Sequence, residues 1–375
     1  MKVLHLGKLC PPNEGGIEVF TYDLLEYLNS NGLQADLLCF GDKTLESTYN
    51  GFRFFSCKMN MKLSSAPLSW DFVNYFNKLA KNYDLIHVHS PNPLAEMLSI
   101  FSNKPVIVHW HSDIVKQKIL YKFYKPFQQA MLKKAKKIIC TSPQYLESSQ
   151  QIEKFKDKAI VIPLGLNPKR LVYDENDKKF LEIKERIRGK KIVLSVGRLI
   201  YYKGFEYLIE SAKFLPDDVI VLIVGGGPLY DKLVRMIENL ELKEKVFLTG
   251  RVKDVGIFIK NCDIFCLPSV ERSEAFGLVL LEALYYGKPL ITTDVYGSGM
   301  SYVNKDGETG FVVPSKNPKA LADAINKILF DRELYETFSK NALERFKEFD
   351  ITSIGNKIIN LYKEVLNSHQ SERSS

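Results

Sequence analysis

What this chain of 375 residues lacks narrows its class before any motif is read. No stretch approaches the roughly 20 unbroken apolar residues that a membrane-spanning helix needs. The opening Met1-Lys2-Val3-Leu4-His5-Leu6-Gly7 is too short an apolar run for a secretory leader and reads as a first β-strand. Cysteine is sparse, with Cys10, Cys39, Cys57, Cys140, Cys262 and Cys266 scattered along the chain. Only Cys262 and Cys266 are close, and no second pair or histidine joins them at zinc spacing. The six read as small core residues in a reducing compartment, which points to the cytoplasm. No Gly-x-Gly-x-x-Gly follows the first strand, so the pattern of a Rossmann oxidoreductase is not supplied. There is no zinc-finger spacing, aromatic RNP-like strand or basic repeat, and nucleic acid is not an expected partner.

The charge that is present is unevenly placed. The chain carries 52 Lys+Arg against 44 Asp+Glu, a net +8. Residues 1–170 hold 22 basic against 14 acidic side chains, which is the whole excess, and the remainder is balanced at 30 of each. A basic first half beside a neutral second half suits an anionic membrane surface or a lipid-diphosphate acceptor.

Short apolar runs alternate with amphipathic stretches throughout. The first series is Val3–Leu6, Ala35–Phe40, Leu85–Val88, Val106–Val108, Ile138–Cys140 and Ala159–Ile162. The second is Ile192–Val196, Val219–Val224, Val246–Leu248, Ile264–Leu267 and Pro289–Thr292. Runs this short and apolar suit parallel strands buried on both faces, and the intervening helical periods make βαβ units. The expected fold class is α/β, with two tandem Rossmann-like domains over residues 1–170 and 171–350. Asn167–Lys190 is polar and reads as a linker followed by one helix. Residues 351–375 supply a C-terminal helix, expected to pack back on the N-terminal domain, and a polar tail, Ser368–Ser375, expected to be disordered.

Ligands on such sheets bind outside the carboxyl ends of the strands, and unusual residues cluster there. Gly15 and Gly16 open a helix after the first strand and would let a phosphate approach its N-terminus. Gly197-Arg198 and Lys203-Gly204 follow the first strand of the second series, placing two cations where a diphosphate would sit. Gly225-Gly226-Gly227 and Thr249-Gly250-Arg251 end the next two strands. The strongest signal is Glu274-Ala275-Phe276-Gly277-Leu278-Val279, followed by Glu282 on an otherwise apolar helix face. Backbone N–H groups at that helix start point outward, and the two carboxylates lie at most about 12 Å apart along a helix. An unpaired carboxylate on an apolar face is costly, and a ribose diol would satisfy it. In the first series, Pro105–Val108 runs into His109-Trp110-His111-Ser112-Asp113. By period-2 alternation His109 and His111 share a face, and His87 and His89 form a similar pair. The stretch Ile114–Lys137 reads as a helix interleaving lysines, Lys116 and Lys118 among them, with Tyr121, Phe123, Tyr124 and Phe127, a pattern suited to a membrane interface.

Together these segments resemble the retaining glycosyltransferases of family 4, over nearly the whole chain. The resemblance rests on Gly15-Gly16, His111-Ser112-Asp113, Ile162-Pro163-Leu164-Gly165, Gly197-Arg198 with Lys203-Gly204, and above all Glu274 to Glu282, which fits that family's E-x7-E pattern. Gly297-Ser298-Gly299 and Gly307 to Gly310 resemble its closing segment. One departure is Asn167, where many relatives carry Asp.

The resemblance implies the GT-B arrangement of two domains facing across a cleft. It implies that Arg198 and Lys203 neutralise a nucleotide-sugar diphosphate, Glu282 holds the ribose, Glu274 the donor sugar, and His111 sits beside the reacting sugar. Gly227, Gly250 and Arg251, with Ala275 to Val279, would line the donor. The implied product is a bacterial surface polysaccharide such as O-antigen, capsule or exopolysaccharide, on a glycan or lipid-diphosphate acceptor at the inner face of the membrane. GDP-mannose is the favoured donor and a UDP-hexose the alternative, with a nucleotide-sugar epimerase as the rival chemistry. No Asp-x-Asp occurs, so neither a metal nor another cofactor is expected.

Overall fold

The short apolar runs become strands because both faces of each are covered. All six residues of Val219–Val224, for example, are buried. The computed structural model describes residues 1–12, 15–63, 66–114 and 118–374, apart from the side chains of Lys118, Arg373 and Ser374. Asn13, Glu14, Val115 and Lys116 lie outside the described residues. The chain divides into two compact units, Met1–Leu166 with Asp350–Ser375, and Asn167–Phe349. The division falls after Leu166 rather than after residue 170.

The first unit opens with β1 (Lys2–Leu9), α1 (Gly16–Ser30), β2 (Gln34–Gly41), β3 (Leu45–Tyr49) and β4 (Phe52–Lys58). A small pair, β5 (Met61–Leu63) and β6 (Ala66–Leu68), precedes α2 (Trp70–Leu79). Then come β7 (Leu85–Ser90), α3 (Pro93–Ile100), β8 (Val106–Trp110), α4 (Lys118–Lys134), β9 (Lys137–Cys140), α5 (Pro143–Ser148) and β10 (Ala159–Val161). Among the described residues these form an eight-stranded sheet in the order β10-β9-β8-β7-β1-β2-β4-β3. Every pairing is parallel except that of the edge strand β3 with β4. The order reverses between β1 and β7, which makes that gap the switch point where a ligand crevice opens.

The second unit runs α6 (Lys178–Arg186), β11 (Lys191–Val196), α7 (Phe205–Ser211), β12 (Val219–Val224), α8 (Tyr230–Asn239) and β13 (Val246–Gly250). It continues with α9 (Gly256–Asn261), β14 (Ile264–Leu267), α10 (Leu278–Tyr285), β15 (Leu290–Asp294), α11 (Met300–Val303) and β16 (Gly310–Pro314). Two helices, α12 (Pro318–Leu329) and α13 (Arg332–Phe346), close it. Its six strands are wholly parallel, in the order β13-β12-β11-β14-β15-β16, with the switch point between β11 and β14.

The last helix, α14 (Ile351–Ser374), belongs to the first unit. Its start is tied by the amide of Ile351 to the carbonyl of Leu166 at 3.0 Å. Two glycines allow the close approach: a side chain at Gly165 would press on Ile354, and one at Gly355 would overlap the ring of Tyr27 on α1. The Tyr27 hydroxyl then donates to Asn356 at 2.9 Å.

Four expectations are corrected. The tail from Ser368 is helical through Ser374, held by Ser368 and Ser371 bonding back one turn and by a Lys136–Glu372 ion pair. The helix expected over Ile114–Lys137 is α4, which ends at Lys134 because Lys137 begins β9. Strands β3, β4, β5, β6 and β16 fall outside both apolar series, since β3 is polar and exposed, β4 carries exposed Arg53 and Lys58, β5 and β6 are three residues each, and β16 ends in proline. Cys10 and Cys39 form a disulfide, because adjacent parallel strands bring together residues that are 29 apart in sequence. Cys57, Cys140, Cys262 and Cys266 are free and buried. No helix among the described residues is long and apolar enough to cross a membrane.

Candidate active site

In the second unit the unusual residues gather at the carboxyl ends of β11 and β14, the two strands flanking the switch point. Glycine builds the floor. A side chain at Gly225 would overlap the carbonyl of Gly197, and one at Gly227 would press on the Leu199 backbone. Gly226 lies under Arg251, whose Cγ would be 2.7 Å from an added Cβ. The strand ends are stitched by hydrogen bonds from the amides of Gly197, Leu199 and Gly225 to the carbonyls of Val224, Gly226 and Gly250, each 3.0 Å. Gly204 has φ +67° and packs against the Pro268 carbonyl, a combination open only to glycine. It turns the chain so that Lys203 points back over Gly197.

There Lys203 Nζ meets Glu274 Oε2 at 2.5 Å, with both side chains only 12% exposed. The second polar neighbour of Glu274 is Ser269 Oγ at 3.5 Å, and Ser298 donates to the Glu274 carbonyl. Arg198 is exposed and hydrogen-bonds the phenol of Tyr202. Burial first, and then the Glu274 charge, push that phenol above its ordinary range. Arg198, Tyr202, Lys203 and Glu274 thus form one connected polar group. Lys203, given by the resemblance to the donor diphosphate, and Glu274, given to the donor sugar, satisfy each other in this structure.

Gly277, at φ +81°, caps α10, so Leu278 and Val279 lie in its first turn, where backbone N–H groups have no acceptor within the helix. Ala275 and Phe276 lead into that turn, with Phe276 buried and the Ala275 carbonyl bonded by Gly299. Glu282 sits further along the same helix. Its carboxylate is 14% exposed and lies 3.5 Å from Arg170 Nη2, a cationic partner the sequence reading did not identify. Asn167 caps the short turn that carries Arg170 by accepting from the Lys169 amide at 3.1 Å.

In the first unit, Gly15 is the N-cap of α1 and Gly16 its first residue. The side chain of Glu18 folds back over Gly15 into the space a Cβ would fill. Burial raises the Glu18 carboxyl above its ordinary range, with nearby Lys8 opposing. The anion position at this helix start is therefore held by the chain's own carboxyl group.

Five of the six histidines form a single buried stack. Parallel register sets His5 beside His87 and His89 beside His109. Ring centroids are 4.5 Å apart for His5–His87, 4.8 Å for His87–His89 and 4.3 Å for His109–His111. Burial holds every one of these imidazoles well below its ordinary range, His89 at about 3, so all are neutral at pH 7. His111 is 3% exposed, and its Nδ1 is buried with no partner among the described residues. An unsatisfied buried group of this kind costs about 1–3 kcal/mol. His109 lies wholly inside the stack rather than at a ligand-facing edge.

On α4, Tyr124 turns inward to the buried carboxyl of Glu96, and Tyr121 bonds Gln128. The opposite side leaves Ile119 75% and Phe123 77% exposed, with Lys122 and Lys125 also exposed.

The candidate residues therefore fall in both units: Gly15, Gly16 and His111 in the first, and Arg198, Lys203, Gly227, Gly250, Arg251, Glu274 and Glu282 in the second. Tyr202, Arg170 and Glu18 were missed. Tyr202 lies in the loop between Arg198 and Lys203, but tyrosine there has no spacing that distinguishes it.

Comparison with known proteins agrees with this geometry. Residues 14–170 match the family model "Glycosyltransferase Family 4", and residues 176–345 match "Glycosyl transferases group 1". The chain is 35% identical to O-antigen chain mannosyltransferase C of Escherichia coli, over 98% of this chain and 100% of that one. It is 32% identical to the D-rhamnosyltransferase WbpZ of Pseudomonas aeruginosa, over 93% and 92%. In fold it is similar to Anabaena HepE in complex with UDP, at TM-score 0.79 and 20% identity, covering 97% of this chain and 100% of that one. A glycosyltransferase from Rickettsia africae gives a TM-score of 0.76 at 23% identity, covering 97% and 98%.

Proposed function

This chain is a glycosyltransferase of family 4 with the GT-B fold, and we propose that it moves mannose from GDP-mannose to a glycan or lipid-diphosphate acceptor in surface-polysaccharide synthesis. The observation that carries the reading is the Lys203–Glu274 pair beside Arg198, on a glycine floor at the switch point of β11 and β14. Two cations and the N-terminus of α10 suit a diphosphate, which becomes a leaving group when its charge is neutralised. On donor binding the phosphates would draw Lys203 from Glu274, releasing that carboxylate to a sugar hydroxyl. Glu282, held by Arg170, would accept from the ribose. The residues supply the leaving-group charge themselves, which supports a reaction without metal or cofactor. His111 is assigned the position beside the reacting sugar.

The step proposed is retaining. The acceptor oxygen attacks the sugar's anomeric carbon on the face from which the diphosphate departs. A C–O bond to the acceptor forms, the C–O bond to phosphate breaks, and the acceptor proton passes to the departing phosphate oxygen. Mannose is favoured by the full-length likeness to an O-antigen mannosyltransferase. For the acceptor, the apolar and basic outer side of α4 supports peripheral contact with an anionic inner-membrane surface.

A donor panel tests the reading. At a hundredfold excess over Kd, GDP-mannose should raise stability by about 2.7 kcal/mol. UDP-hexoses at the same concentration should leave the melting temperature unmoved. Stabilisation by a UDP-hexose alone would transfer the assignment to that donor. An epimeric nucleotide sugar formed from the donor with no acceptor present would instead favour an epimerase.

A further inference from the structure

The histidine stack contains a continuous hydrogen-bonded chain that ends at His111. Tyr362 Oη lies 3.2 Å from His5 Nε2, His5 Nδ1 is 3.0 Å from His89 Nε2, and His89 Nδ1 is 2.9 Å from His111 Nε2. His87 Nδ1 joins the far end, 2.5 Å from Tyr362 Oη. All five residues involved are within 3% of full burial, which shields the series from bulk water. The stack is poorly built to chelate a metal. Its rings are nearly parallel, 18° apart for His5–His87, 15° for His87–His89 and 9° for His109–His111. Imidazole lone pairs lie in the ring plane, so parallel rings do not aim them at one ion.

A neutral imidazole donates from one nitrogen and accepts at the other. The protons of such a chain must therefore all point the same way, and two senses are open. In one, His111 carries its proton on Nδ1 and His87 Nε2 is a bare lone pair. In the other, His87 Nε2 carries an N–H and His111 Nδ1 is the lone pair. These two atoms are the chain's two ends, and neither has a partner among the described residues.

Thr21 chooses between the senses. Its hydroxyl donates to the Ile17 carbonyl at 2.7 Å, which uses its single proton. Toward His89 Nδ1, 3.4 Å away, Thr21 Oγ1 can only accept. A proton on His89 Nδ1 supplies the donor this contact needs and is shared with His111 Nε2 at 2.9 Å, which places the proton of His111 on Nδ1.

We propose that Thr21, His89, His5 and Tyr362 act as positioning residues that fix His111 as its Nδ1–H tautomer, so that it offers the substrate a hydrogen-bond donor. The chemical partner it fits is an acceptor oxygen, a sugar hydroxyl or a glycosidic or phosphate oxygen. The opposite tautomer would fit a hydroxyl that donates. This inference rests on the place given to His111 in the proposed reaction, but the tautomer itself can be read without turnover.

The test is two-bond proton–nitrogen NMR on protein labelled with ¹⁵N-histidine at pH 7.5, combined with GDP-mannose hydrolysis. Wild type should show His111 protonated on Nδ1. Thr21→Val, which keeps the shape and removes the acceptor, should shift His111 toward Nε2–H and lower kcat/KM about tenfold. Thr21→Ser, which can still donate to Ile17 and accept from His89, should restore both. Tyr362→Phe removes the far link and should shift the tautomer in the same direction. Wild-type His111 protonated on Nε2, or a tautomer indifferent to Thr21→Val and Tyr362→Phe, would overturn the relay. A tautomer that shifts while hydrolysis stays at the wild-type rate supports the relay and removes His111 from the reaction.

Discussion

At the scale of single residues, Arg198 and Lys203 carry the same charge in different settings and should fail differently. Arg198 is exposed and leans on Tyr202. Arg198→Ala should lower transfer about a hundredfold or more, as expected for loss of one leaving-group cation, while the melting temperature stays near wild type. Near-normal transfer in that variant would refute the diphosphate assignment. Lys203 is 12% exposed and paired with Glu274. Lys203→Ala strands that carboxylate, so activity should fall together with about 1–2 kcal/mol of stability, measured by urea denaturation; the full penalty for a deeply buried pair would be larger. Replacing both, as Lys203→Met with Glu274→Gln, should return most of the stability and none of the activity. Glu274 and Lys203 were legible as candidate residues because each sits in a loop that follows a strand. Their direct contact was not, since it depends on Gly204 turning the loop back against Pro268.

Among elements, α4 divides its two sides plainly. Tyr124 is committed to Glu96 inside, whereas Ile119 and Phe123 face out. Full burial of one such side chain contributes about 1.5–3 kcal/mol. Ile119→Ser with Phe123→Ser should therefore weaken sedimentation with anionic vesicles at least tenfold, leaving the melting temperature unchanged. Binding that does not respond would put the membrane contact elsewhere. The amphipathic character of this helix could be read from its spacing, but which aromatic turns inward could not, because Glu96 lies on another helix. The strands tell a similar story. Buried parallel runs announce themselves by composition, whereas β3 is polar and exposed and pairs only because β4 is beside it. The disulfide between Cys10 and Cys39 depends on strand adjacency, which spacing along the chain does not reveal.

For the molecule as a whole, the histidine stack should set the acid limit of stability. Unfolded, each imidazole takes up a proton below about pH 6.5; buried, it does not. The unfolded state then binds more protons, so stability falls as pH drops from about 6.5 toward the lowered native values. Each histidine contributes up to about 1.4 kcal/mol per pH unit, and five together could remove the whole stability of an ordinary domain before pH 5. The raised carboxyls of Glu18 and Glu96 act in the opposite sense but are outnumbered. Urea midpoints of the first unit's unfolding should drop steeply between pH 7 and 5.5; a flat profile would contradict the buried, neutral stack. The sequence placed the paired histidines on common faces, but not His5 or Tyr362, which enter through strand order and a helix at the far end of the chain.

That last helix also bears on how the protein is made. Its residues seal the sheet begun by Lys2–Leu9, yet all of Asn167–Phe349 must leave the ribosome between them. At about 5–20 residues per second, the N-terminal half waits on the order of ten seconds or longer for its missing piece. Synthesis therefore finishes the later-made unit first, and a nascent chain stalled before Asp350 would present an open apolar groove to chaperones.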